Sequence, residues 1–211
     1  EFLRGFQGFL QCDAYAGYDE LFRRSQGTII EVGCWAHARR KFVEAQKTSP
    51  REAHEAVVRI KQLYAVEHEA KTFDMTERRS LRQQKSVPLL AALKPWLDQL
   101  AVTTLPKSPL GEAVTYARNQ WAALNVYVTD DALAMDNNLA ERAVKPFAIG
   151  RKNWLFFGSD DGGRRLAILS SFTATCQQFG VNPWTWLQQT LTKLPLAPAD
   201  QLATLLPASE K

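Results

Sequence analysis

The feature that most restricts what this chain can fold into is a long stretch, from Pro50 to Leu124, in which no strand signal occurs. Ala53, Val57, Ile60, Leu63, Tyr64 and Ala70 recur at the spacing of a helix face. A second helix carries Arg78, Arg79, Arg82 and Lys85, a third runs from Pro88 to Leu100, and a fourth from Pro109 to Leu124, with Leu110, Val114, Ala117 and Trp121 inward. No fixed-period repeat or low-complexity segment interrupts the block. Whatever precedes and follows must be built around this helical excursion.

Before it, Phe6–Cys12 is a short apolar run ending at Asp13, and Thr28–Trp35 is a second run rich in β-branched residues. Both read as buried strands. A short helix, Tyr18 to Arg24, lies between them and closes at Gly27. A further helix, His37 to Lys47, follows with Phe42 and Ala45 turned inward. After the block, Asn137, Asn138, Glu141 and Lys145 share one face of a short helix that Pro146 is expected to stop, with Leu139 and Ala143 on a core-facing side. A basic turn and an aromatic run, Gly150 to Gly158, come next. Asp160–Gly163 reads as a turn. Leu166, Leu169, Phe172, Thr173 and Cys176 mark an amphipathic helix ended by Gly180. Asn182-Pro183 opens another helix with Trp184, Leu187, Leu191 and Leu194 on its apolar face. A last short helix, Ala199 to Leu206, precedes a tail expected to fray.

Composition excludes several classes. Of 211 residues, 45% are hydrophobic and six are Trp, enough for a real core. The three cysteines, Cys12, Cys34 and Cys176, are odd in number and lie in apolar stretches, which suits buried thiols in a reducing cytosol. No apolar run approaches a membrane span, and the start lacks the layout of a signal peptide. The chain opens on Glu1-Phe2-Leu3 without an initiator Met, so it reads as a piece of something longer. Net charge is +4, a mild tilt towards nucleic acid.

Three residue groups carry chemical potential. Asp13 sits where a strand ends, the position at which α/β sheets display functional groups, although aspartate is also common in turns. Cys34 and His37 are three apart, but structural zinc needs four ligands and no second Cys lies near His54 or His68, so zinc is not expected. Glu141 is framed by amides and cations, with Arg142, Arg151 and Lys152 close in sequence. Asn138 followed by Glu141 also matches a capping box. Cations cluster in Arg39, Arg40, Lys41 and Lys47; in Arg78, Arg79, Arg82, Lys85 and Lys94; and in Arg142, Lys145, Arg151, Lys152, Arg164 and Arg165. Such runs usually form solvated faces. The last is interleaved with Trp154, Phe156 and Phe157, and phosphate-holding cations beside base-stacking aromatics make a nucleic-acid surface.

Four blocks in order carry a resemblance: Leu10–Tyr18, Gly33–Phe42, Asp136–Arg142, and Gly150–Phe156 with Gly158-Ser159. Together they resemble the transposase of the insertion-sequence-66 family of bacterial mobile elements, and the likeness extends over nearly the whole chain. It implies an α/β fold: an incomplete ribonuclease-H-like domain (its last strands and helices) with a large helical insertion and a C-terminal helical region. The expected division is 1–48 for the second half of the core, 49–128 for the insertion, 129–180 for the catalytic Glu helix and the next core helix, and 181–211 for the C-terminal region. It also implies an Asp-Asp-Glu triad in which Asp13 is the second acid and Glu141 the third, the first lying upstream of residue 1. Two divalent ions, Mg²⁺ or Mn²⁺, would be held by these acids.

Arg39, Arg40, Arg142, Lys145, Arg151, Lys152 and Trp154 are the expected DNA contacts, and Cys34 and His37 structural support. The implied activity is metal-dependent DNA cleavage and strand transfer, in the bacterial cytoplasm at the nucleoid. The implied partners are element ends and target DNA, further copies of the chain, and possible accessory proteins, with no membrane. A fragment lacking the first acid is expected to be inactive alone. The rival reading is a non-enzymatic DNA-binding or regulatory remnant. The uncovered edge beside Phe6–Cys12 is expected to be sticky.

Overall fold

The computed structural model describes residues 3–207; the expected fraying of the tail concerns residues 208–211, which lie outside them. The fold is mostly helical, with one small parallel sheet of two strands, β1 (Gly8–Gln11) and β2 (Ile29–Val32), paired Gly8 with Ile29 through Gln11 with Val32. Both strands fall where the β-branched and apolar runs placed them, though each is shorter than its run. They are less buried than expected. Phe9 and Ile30 are register partners and both are exposed, so their end of the face they share is open among the described residues, whereas Val32, two residues further along the same face, is fully buried. Short helix α1 (Asp19–Arg24) links the strands.

The chain divides into two compact units, Glu1–Ala140 and Glu141–Lys211. In the first, α2 (Trp35–Ala45) packs on α3 (Pro50–Glu69) and α6 (Pro109–Asn119), with α5 (Val87–Thr103) beside α6. Most of the predicted core holds: Phe42, Ala45, Ala53, Ile60, Leu63, Leu110, Val114 and Ala117 are buried, joined by Trp35 and Leu97, while Val57, Tyr64 and Trp121 are only partly buried against it. Trp35 opens α2 instead of closing the strand run, and its indole N–H donates to the Leu124 carbonyl at 2.8 Å. Gly33 makes this possible. A Cβ there would lie 2.9 Å from the Leu124 backbone nitrogen, and the Gly33 N–H bonds Ala123 O at 2.9 Å. The expected fourth helix is divided at Gln120 into α6 and α7 (Trp121–Asn125).

Helix α4 (Met75–Leu81) starts on a capping box, Asp74 with Glu77. It runs into a wide π-helical turn, Arg82–Ser86, and then α5. Pro88 has no N–H to give the carbonyl four residues back, and the widened turn directly before it is where the helix adjusts.

The second unit holds α8 (Asn138–Trp154, whose first three residues belong to the first unit), α9 (Asp160–Gln178) and α10 (Pro183–Lys193), then a 3₁₀ helix at Ala199–Leu205. Two turn assignments are overturned here. Pro146 does not stop α8; the helix carries it in its interior. Pro146 and Arg142 are both exposed, so water can serve the Arg142 carbonyl that the proline leaves without a donor. Asp160–Gly163 is not a free turn but the opening of α9. The Ser159 hydroxyl accepts the Gly162 N–H at 3.1 Å, and Asp160 and Asp161 sit at the positive end of the helix dipole. The assigned apolar faces fare unevenly. Cys176 is buried, but Leu139 and Ala143 are exposed, as are Leu169 and Trp184. The inward tryptophan is Trp186, whose ring lies 5.2 Å from that of Phe172 and whose N–H bonds Leu205 O at 3.0 Å.

Candidate functional site

In the first unit the strand ends gather the polar groups. β1 delivers Cys12 and Asp13; the Cys12 N–H still bonds Val32 O at 3.0 Å, so Asp13 is the first residue beyond the pairing. Ala14 then takes a positive φ of 61°, a left-handed turn that costs an L-residue about 1 kcal/mol and ends the strand. Asp13 is exposed, and its carboxylate accepts no hydrogen bond among the described residues. Its backbone carbonyl accepts from the Tyr116 hydroxyl at 3.4 Å, and the Lys41 ammonium lies 5.0 Å from the centre of the Tyr116 ring. Tyr116 is pushed up to about 12, first by burial and then by the charges of Cys34 and Asp13. Cys12 is pushed up to about 11 by burial, with Glu31, 3.5 Å from its sulfur, adding to the rise.

The segment leading into α8 arrives in the same unit. Met135 is buried, and its carbonyl accepts the Trp35 N–H at 3.1 Å. The Ala134 carbonyl accepts from Gln11 Nε2 of β1 at 2.7 Å. Asp136 is held at both oxygens: Oδ2 takes the Tyr64 hydroxyl at 2.9 Å and Oδ1 the Asn138 N–H at 3.1 Å. The Asn137 N–H donates to Cys34 Sγ at 3.2 Å. Burial raises the Cys34 thiol, partly offset by that N–H, while Tyr64 is raised by burial and then by the Asp136 charge. Asp136 is therefore a supporting acid, both of its oxygens engaged in fixing a turn. Residue composition alone did not single out Asp136 or Tyr64; Tyr64 reads as one more apolar position in a helical period, and only the packing of α3 shows its hydroxyl at work.

The capping box at Asn138 does not form in that register. Asn138 is itself the first helical residue, which puts Glu141 one place beyond the position the box requires. Arg39 and Arg40 are exposed on α2 in the first unit. In the second unit α8 presents Arg142, Lys145, Arg151 and Lys152, all exposed. Trp154 is half-exposed. Its indole lies back across Gly150, where a Cβ would come within 2.5 Å of the ring, and it meets Phe157 at 6.5 Å. Leu155, at a positive φ of 61°, turns the chain out of the helix and leaves Phe156 exposed. The cation run from Arg78 to Lys94 is not wholly the solvated face expected of it: Arg79 and Lys85 are exposed, but Arg82 is 1% exposed.

Comparison with known proteins decides the family. The family model described as "Transposase IS66 family" matches residues 1–165, and that of the "IS66 C-terminal element" matches residues 171–208. The chain belongs to the IS66 transposase family. Its relatives include three proteins of Sinorhizobium fredii (strain NBRC 101917 / NGR234). They are uncharacterized protein y4qI, 38% identical over 97% of this chain and 39% of its own length; y4jD, 34% identical over 97% and 42%; and y4hP, 32% identical over 97% and 40%. The chain thus spans about two-fifths of the length of these IS66 relatives. No solved structure matches it. Among the described residues no helix is long and apolar enough to cross a membrane.

Proposed function

We propose that this IS66 chain is the C-terminal part of the catalytic domain of a DNA transposase with an Asp-Asp-Glu triad. Its two strands and the helices around them are the later elements of a ribonuclease-H-like core, interrupted by the α3–α7 insertion. Asp13 serves as the second acid and Glu141 as the third. The observation that carries the reading is the end of β1. It presents an exposed carboxylate with no partner among the described residues, beside a strand end to which the Asp136–Asn138 turn is also tied. A hard oxygen donor just beyond a paired strand end, with no partner among the described residues, suits Mg²⁺ or Mn²⁺, whereas Asp136, with both oxygens occupied, does not. The exposed side chains of Phe9 and Ile30 and the greater length of the relatives support further chain packing on this end of the sheet.

In the complete enzyme two divalent ions would supply Lewis-acid stabilisation of the attacking and leaving oxygens at a phosphodiester. The reaction is hydrolysis at the element ends followed by strand transfer from the freed 3′-hydroxyl. The basic side chains of α8, with Arg39 and Arg40, hold backbone phosphates, and Trp154 offers a stacking surface. Homo-oligomers and accessory proteins of the element belong to the same reading.

The test uses the complete reading frame that encodes this chain, incubated with element-end DNA and Mg²⁺ or Mn²⁺. Nicking is expected, abolished by Asp13→Asn and by Glu141→Gln with DNA binding retained; the isolated 211-residue chain is expected not to nick. Undiminished cutting by Glu141→Gln refutes the assignment. DNA binding without any Glu141-dependent cutting favours the non-enzymatic remnant, a reading supported by the exposed cations of α8 and the aromatics from Trp154 to Phe157 that follow them.

A further inference from the structure

Arg82 uses its whole guanidinium. Nε and Nη2 form a paired bridge to Glu67 at 2.8 and 2.7 Å. Nη1 donates to the carbonyls of Tyr127 at 2.8 Å and Asp130 at 2.9 Å, and Nη2 also donates to that of Leu133 at 2.9 Å. All five N–H donors that an arginine owns are therefore engaged, the cation lying 5.2 Å from the centre of the Tyr127 ring. Two neighbours extend the grip: Gln83 Nε2 donates to Val128 O at 2.8 Å and Arg78 Nη1 to Asp131 O at 3.4 Å.

The segment so held has almost no regular structure of its own. Between the single 3₁₀ turn Val126–Val128 and the start of α8 its carbonyls cannot pair as in a helix or a ladder. Carbonyls on the inner side of such a partly buried segment are costly if left unpaired, and a fixed planar fork is the side chain best shaped to serve several at once. Past Leu133 the same segment is tied to β1 through Gln11, to the first residue of α2 through Trp35, and to Cys34 directly before it.

We propose that Arg82 is a positioning residue: through the carbonyls of Tyr127, Asp130 and Leu133 it sets where the Asp136–Asn138 turn lies and so where the helix bearing Glu141 begins. The helical insertion is on this view an integral part of the catalytic frame and not a removable excursion. The catalytic consequence rests on the proposed function; the mechanical one does not.

The experiment has two arms. Amide exchange is followed in wild type and Arg82→Lys. Lysine keeps the charge beside Glu67 but cannot reach three carbonyls, so exchange across Leu133–Asn138 is expected to quicken roughly tenfold, the size of one lost hydrogen bond, with α6 unchanged. In the complete reading frame the same variant is expected to nick element-end DNA about 100-fold more slowly, the scale of a small misplacement, with DNA affinity unaltered. Gln11→Ala, which severs one link near the surface without touching the core, is expected to quicken exchange at Ala134–Asp136 by about threefold and serves if Arg82→Lys does not fold. Full rescue by lysine in exchange overturns the proposal, as does loss of protection spread equally over α6, and so does an inert Gln11→Ala where Arg82→Lys does not fold. A wild-type reading frame that never nicks counts against the proposed function alone, and the exchange arm still decides the clasp.

Discussion

The two units are stabilised in different ways. Glu1–Ala140 closes a continuous apolar core of α2, α3, α5 and α6 around Trp35, Phe42, Ile60 and Leu97, and even its irregular connector is anchored by a buried arginine. In Glu141–Lys211 the buried described residues are Gly150, Cys176 and Pro207, while Val144, Ile149, Phe156, Ile168, Leu191 and Leu196 are exposed. Packing defines the first unit. Local helix signals carry the second: the Ser159 cap, the Asn182 cap that accepts from Trp184 and Thr185, and one tryptophan contact. The lesson is that capped helices with little buried between them rest on fewer packing contacts, so each side chain removed costs less.

Trp35→Ala is the largest expected blow. It empties a fully buried site and orphans the Leu124 carbonyl, for about 3–5 kcal/mol by denaturant titration of Glu1–Ala140. Trp186→Ala, the corresponding change in the second unit, removes a half-buried ring and one hydrogen bond, for ~2 kcal/mol. If the two changes cost the same, the contrast between the units is broken.

Alkali sharpens it further. Cys12 loses its proton near 9.0 when unfolded and near 11 when folded, so the folded state binds that proton more tightly. The resulting stability is complete below about pH 9 and drains away as pH rises through about 11. Tyr116 and Tyr127, each pushed up to about 12 chiefly by burial, extend the loss upward from their ordinary value of 10.0. Urea midpoints taken from pH 8 to 11 on wild type and Cys12→Ala check this, and a wild-type midpoint that stays level as pH rises contradicts it. The smallest effects are at helix caps. Asp74→Ala on α4 and Ser159→Ala on α9 should each cost ~1 kcal/mol, visible as faster exchange confined to the first turn of the helix concerned.

Much of the helical content was legible because periodicity is local. The faces of α2, α3 and α6, the strands at Gly8–Gln11 and Ile29–Val32, and the Asn182-Pro183 start needed only neighbours within a few residues. Pro146 misled because a proline's penalty is a cost and not a prohibition, and an exposed site lets water meet it. Asp160–Gly163 misled because aspartate and glycine serve turns and helix starts alike. Arg82 misled most. In a run with Arg78, Arg79 and Lys85 it is indistinguishable from a surface cation, and its partners at Glu67, Tyr127, Asp130 and Leu133 stand 15 to 51 residues away.

By itself the sequence determined the family, the helical excursion, the strand positions and the acids worth testing, since each is written in short-range pattern or in ordered motifs. Only the tertiary structure decided which polar groups are spent on holding the chain: Asp136 committed to Tyr64, Arg82 to three carbonyls, Cys34 to the Asn137 N–H. Those assignments depend on which surfaces meet when helices pack, and a residue's spacing along the chain carries no information about the partner it finds across a core.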